Sequence, residues 1–108
     1  MKVNKLTVYM KNMRVQNRYS LREAAKEMSV SAPFLHDVEA GERNVTRKVA
    51  NEFIRLYHLD DEGKRTLFDA IAEATDSLPY DVVDFLKSNP EALQTVIGMM
   101  NNQKQKKH

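Results

Sequence analysis

The 108-residue sequence contains no cysteine, only three glycines and three prolines, and no apolar run near the ~20 residues of a membrane span. Without thiols there is no disulfide, iron–sulfur cluster, thiolate zinc site or cysteine nucleophile, which fits a reducing compartment. A glycine-rich phosphate loop, a His-Glu-x-x-His helix and a serine elbow are also missing, and the histidines at 36, 58 and 108 are too scattered to suggest a ligand set. Asp60-Asp61-Glu62 is helix-cap chemistry, because an EF-hand needs its ligands spread along a longer loop. No catalysis, metal or cofactor is therefore expected. Met1 to Lys5 lead into no signal-peptide core, so a soluble, cytoplasmic protein is expected, with no membrane partner. At 42% hydrophobic and 30% charged, the composition is that of a globular domain with one modest core.

Charge is unevenly placed around a formal total of +2. Residues 1–58 hold eleven basic and six acidic side chains, residues 59–100 three basic and nine acidic, and residues 101–108 three lysines. A polyanion is expected to meet the N-terminal half.

Helix punctuation runs along the whole chain. Leu6, Tyr9, Met10 and Met13 recur at three- and four-residue spacing and predict a helix over about 5–18. Ser20-Leu21-Arg22-Glu23 is a capping box that opens a short second helix with Ala24, Ala25 and Met28. Ser31 is an N-cap, Pro33 sits in the first turn, and Gly41 supplies a left-handed stop, bounding a third helix over about 32–40. Its Leu35 and Val38 face inward with Phe34 flanking them, so Ala32, Pro33, His36, Asp37 and Ala40 face outward. Thr46 caps a fourth helix with Val49, Phe53, Leu56 and Tyr57 inward. Asp60 and Asp61 cap a fifth over about 61–75, with Leu67, Phe68, Ile71 and Ala74 on one face. Leu78-Pro79 starts a sixth, and Asn89-Pro90-Glu91 a seventh. Residues 101–108 lack apolar side chains and read as a disordered basic tail. No run alternates with period two, so strands are not expected.

The second and third helices with their short connection form a helix-turn-helix. The run Val30-Ser31-x-x-Phe34-Leu35-x-x-Val38-Glu39-x-Gly41-x-Arg43, with Ala25 at the small position where the two helices cross, resembles the lambda-repressor-like family of phage-repressor and XRE regulators. The likeness covers residues 5 to about 58. It implies an all-α fold: a compact four- to five-helix bundle over residues 1–60, followed by a C-terminal helical extension over 61–100. It also implies a sequence-specific transcriptional regulator, expected to be a repressor that binds operator double-stranded DNA as a dimer. Carried over residue by residue, the resemblance puts Ser31, Ala32, Pro33 and Asp37 at base-reading positions in the major groove, and Ser20 and Leu21 at backbone-contacting ones. Arg43 and Asn44 fall in a phosphate-contacting loop, and Arg47 near the minor groove. Arg14 and Glu39 are implied to form a structural ion pair joining the first helix to the end of the third. Ala32 and Pro33 offer only apolar contact, such as with a thymine methyl, and Asp37 can accept from cytosine N4. Ser31 and His36 are then the remaining donors, and specificity leans on DNA shape and paired half-sites.

In the extension, Leu93, Val96, Ile97, Met99 and Met100 form a stripe more apolar than one terminal helix needs. With Val82, Phe85 and Leu86 it is expected to make a homodimer interface that sets two reading helices roughly 34 Å apart. Packing of the stripe onto the fourth and fifth helices is the alternative. Because small members of the resembled family include antitoxins and partner-controlled regulators, an interaction module that binds a partner protein (a toxin or regulator) and has autoregulatory DNA binding is the alternative function.

Overall fold

The computed structural model describes residues 4–105. Among them the chain is all-helical: α1 (Lys5–Gln16), α2 (Leu21–Glu27), α3 (Ala32–Glu39), α4 (Arg47–Leu56), α5 (Asp61–Thr75), α6 (Tyr80–Ser88) and α7 (Pro90–Gln105). No helix among the described residues is long and apolar enough to cross a membrane.

Side-chain caps explain where most helices begin. The Asn4 side-chain Oδ1 accepts from the Thr7 N–H at 2.9 Å, while the Thr7 hydroxyl accepts from the Asn4 N–H at 3.0 Å. Ser20 and Glu23 make the same reciprocal box, at 3.1 and 2.8 Å. Ser31, Thr46 and Asp60 cap α3, α4 and α5 by accepting from Phe34, Val49 and Gly63. Each cap contributes about 1 kcal/mol.

The helix ends follow one rule five times over. Arg18, Ser29, Gly41, His58 and Asp76 all adopt positive φ, and the next N–H reaches back five residues: Tyr19 to Arg14, Val30 to Ala25, Glu42 to Asp37, Leu59 to Ile54 and Ser77 to Ala72. This is the Schellman stop, which turns the chain sharply and satisfies a carbonyl that the helix leaves unpaired. Only Gly41 of the five is a glycine, as its sequence position suggests. The other four each sustain a left-handed conformation that costs an L-residue about 1–2 kcal/mol.

Residues up to Ser77 form one compact unit. Within it α1 packs against α3 and α5, α2 against α3, and α4 against α5. The enclosed side chains are Met10, Met28, Leu35, Val38, Val45, Val49, Phe53 and Leu67, and alanines 24, 25 and 50 let helices approach closely. Tyr9, Phe53, Tyr57 and Tyr19 line up as a row of tilted and edge-on ring contacts, with centroids 5.8, 4.7 and 6.0 Å apart. Burial pushes the Tyr57 phenol up to about 12, with the nearby Glu39 carboxylate adding to the shift and Arg14 opposing it.

Two features differ from the sequence reading. The bundle does not close at residue 60: α5 buries Leu67, Ala70, Ile71 and Ala72 and belongs to the unit ending at Ser77. The short connection from α4 leaves that apolar stripe nowhere else to go, though Ala74 is exposed and Phe68 half-buried. At the other end, α7 runs through Gln105, so the first part of the expected tail is helical. Nothing from Asn101 to Gln105 stops a helix, there being neither glycine nor proline in that stretch. Residues 106–108 lie outside the described region.

The second unit begins at Leu78, and in it α6 and α7 pack together as a hairpin. No residue of α6 is buried. Leu78, Phe85, Leu93, Val96, Ile97, Met99 and Met100 are all exposed.

Candidate nucleic-acid interface

The α2–turn–α3 segment is held from beneath. Ser29 makes the turn, and Leu35 and Val38 anchor α3 at 2% exposure each. The expected Arg14–Glu39 pair is present and nearly enclosed, with side chains 14% and 9% exposed. Arg14 Nε donates to both carboxylate oxygens, at 3.2 and 2.9 Å, and Nη2 donates to Oε1 at 3.1 Å. Nη1 donates to the Tyr19 carbonyl at 3.1 Å, so one guanidinium ties α1 to both the start of the helix-turn-helix and the end of α3. Among the described residues every buried side-chain polar atom has a partner.

With that inner face fixed, Ser31, Pro33 and His36 are exposed along the outside of α3, and Ala32 and Asp37 are half-buried. Ser20 and Ser31 both use their oxygens as cap acceptors. The Ser31 hydroxyl in that role still has its O–H to donate outward, to a phosphate oxygen or a base acceptor. The Ser20 N–H on the Glu23 carboxylate, with the serine hydroxyl bond, holds that carboxyl below its ordinary range. Leu21, next to Ser20, is half-buried and has no polar atom to offer.

The α3–α4 loop pins Val45 in the core at 1% exposure. Around that anchor Arg43, Asn44, Thr46, Arg47 and Lys48 are exposed. Arg43 lies back on α3: its Nε is 3.7 Å from Asp37 Oδ2, and its guanidinium carbon is 5.7 Å from the centre of the Phe34 ring. The other Asp37 oxygen faces His36 Nδ1 at 3.4 Å. Three of the sequence-derived positions, His36, Asp37 and Arg43, are thus brought into one chain of contacts, with Phe34 beneath it.

Sequence reading misses several members of this surface. Lys48, in the first turn of α4 beside Arg47, was legible as an exposed cation after a cap. Phe34 reads as a core flank, yet it is half-buried and supports Arg43. Lys11 and Asn12 of α1 line an open groove of about 400 Å³ with Val8, Leu21, His36 and Ala40. Only the crossing of α1 with α3 brings them beside the outer face of α3, so no local signal points to them. The other expected interface, Val82, Phe85, Leu86 and the α7 stripe, lies in the second unit. Val82 and Leu86 are half-buried there, and the remainder are exposed.

A family model for a helix-turn-helix domain matches residues 5–67, which includes all of α1 to α4 and the first half of α5. Neither a curated protein nor a solved structure matches the chain. The matched span covers more than half the sequence and contains the segment in which α2, the turn at Ser29 and α3 are locked by Arg14 and Glu39, in keeping with the lambda-repressor-like resemblance. The chain belongs to the helix-turn-helix domain family of DNA-binding regulators.

Proposed function

We propose that this protein is a repressor that occupies operator DNA as a dimer, with α3 in the major groove and the α3–α4 loop on the flanking phosphates. The observation that carries the reading is the outer face of α3: exposed, rigidly backed, and bordered by Arg43, Asn44, Arg47 and Lys48. Ser20, Ser31, Ala32, Pro33, His36 and Asp37 contribute the rest of the contact surface. One such face, with Ala32 and Pro33 leading, has few polar readers, so useful specificity calls for two half-sites read together.

A second copy of the chain is the partner best suited to the α6–α7 hairpin. Leu93, Val96, Ile97 and Met100 recur every three or four residues along one side of α7, and a two-fold axis sets such a stripe against itself. Two helices with no buried residue in α6 are a poor fold on their own, and pairing two hairpins supplies the missing core. The same exposure favours the second reading, in which a different protein, as for an antitoxin, covers the hairpin.

Anisotropy titration of a duplex from the protein's own promoter, against competitor DNA, tests the first half of the proposal. Preferential binding that weakens as salt rises is the expected result, and equal affinity for all sequences removes the operator role. Sedimentation tests the second half: the wild-type chain runs as a dimer and Ile97→Asp as a folded monomer. A wild-type monomer transfers the hairpin to the partner-protein reading.

A further inference from the structure

We propose that Arg43 is a base-reading residue, which Asp37 and Phe34 hold along the outer face of α3 so that its guanidinium is presented to a guanine edge. The inference rests on the DNA-binding reading above and assigns the specificity that α3 itself lacks.

A phosphate needs only a positive charge nearby, and a flexible arginine or lysine supplies it. A guanine needs a fork held in one plane, with two N–H groups directed at O6 and N7. Arg43 meets the second requirement. Its guanidinium sits over the Phe34 ring at 5.7 Å, inside the range at which a cation is attracted to the ring face. Its Nε edge is turned to Asp37, at 3.7 Å. On this proposal the terminal Nη1 and Nη2 are the bidentate pair offered to the base. Phe34 and Asp37 are three residues apart on α3, so both supports move with the reading helix. The pairing also accounts for Asp37. A lone carboxylate on this face repels phosphate, whereas a carboxylate compensated by Arg43 does not. Asp37 is then a positioning residue, with one oxygen toward Arg43 and the other toward His36.

The test is selection of bound duplexes from a random library, with sequencing, for the wild-type chain, Arg43→Lys and Asp37→Asn. Both substitutions are at surface positions, and thermal melting confirms that each variant is folded. In the wild-type motif one guanine column per half-site is expected to depend on Arg43. Arg43→Lys keeps the charge but loses the fork, so discrimination at that column falls about tenfold, with affinity for competitor DNA unchanged. Asp37→Asn weakens discrimination at the same column, which a merely structural carboxylate has no reason to do. An unchanged motif in Arg43→Lys, or an even loss across all sequences, makes Arg43 a phosphate contact and overturns the proposal. Loss at a cytosine column in Asp37→Asn also overturns it, because Asp37 then reads a base directly. A wild-type chain that enriches no motif while binding DNA refutes base reading alone; one that binds no DNA refutes the functional reading beneath it.

Discussion

Substituting one member of the Arg14–Glu39 pair tests the frame on which every DNA contact depends. Removing a partner from an enclosed ion pair costs about 3–5 kcal/mol, because the remaining charge is left in a poorly solvated site. Here both side chains keep a little exposure, at 14% and 9%, and in Glu39→Gln the Arg14 guanidinium retains the Tyr19 carbonyl. The lower end applies, about 3 kcal/mol. In a domain of this size each kcal/mol moves the melting temperature by roughly 4–8 °C, so circular dichroism should show Glu39→Gln melting about 12–24 °C lower. Arg14→Met should fall by a similar amount, since it strands the carboxylate. The double variant Arg14→Met, Glu39→Leu should recover most of the loss, because two apolar side chains of similar volume remove both charges together. Coupling of that size in the double-mutant cycle identifies an enclosed pair. Glu39→Gln melting within a few degrees of wild type, or losses in the two single variants that simply add in the double, would refute the argument and reduce the pair to a surface contact.

Further predictions follow from particular residues. Tyr57 titrates near 12 in the folded chain against ~10 when unfolded, so the unfolded state loses its proton first. Stability should then be intact below pH ~10 and decline as pH rises from about 10 to 12. Alkaline melts should show this, and Tyr57→Phe should flatten it; an identical decline in the variant points to other groups. Ser29→Gly removes a left-handed serine at φ 58° from the turn before α3 and should raise stability by about 0.5–1 kcal/mol in urea titration. A loss instead means that the serine side chain has a role the turn geometry hides. Arg47→Ala with Lys48→Ala should weaken binding to all duplexes alike and lower the slope of log affinity against log salt by about 2. A change in base preference with an unaltered slope places these cations away from the phosphates.

Local chemistry made most of the helices readable. Ser20 with Glu23, Ser31 with Pro33, Thr46, Asp60 and Asn89-Pro90 are start signals written in adjacent residues, and the corresponding helices begin within a residue of them. Stops were less legible, because only one of five left-handed pivots is a glycine; Arg18, Ser29, His58 and Asp76 adopt the same geometry with side chains that give no such signal. The Arg14–Glu39 contact, separated by 25 residues, was available only through resemblance. What no motif or spacing indicates is where long side chains lie. Arg43 reads as a loop cation and Asp37 as an isolated acid on the reading face, yet each is the other's partner.

That pairing changes how the basic N-terminal half is to be understood. Residues 1–58 carry an excess of cations, but Arg14 is committed to Glu39, Arg55 to Glu52, and Arg43 to Asp37. At least three of the six arginines in that half are therefore locally compensated, and each of these also does geometric work: Arg14 locks α1 to α3, Arg55 donates to the Glu27 carbonyl at the end of α2, and Arg43 lies on Phe34. Long-range attraction of DNA depends on summed charge, and a compensated pair adds little to it beyond a Debye length of about 8 Å. Nonspecific attraction then rests on cations such as Lys48 and Lys11, while these three arginines set shape and readout. Salt dependence and base preference should accordingly respond to different substitutions on the same face: Lys48→Ala should alter the salt slope and leave the motif intact, and Arg43→Lys should do the reverse.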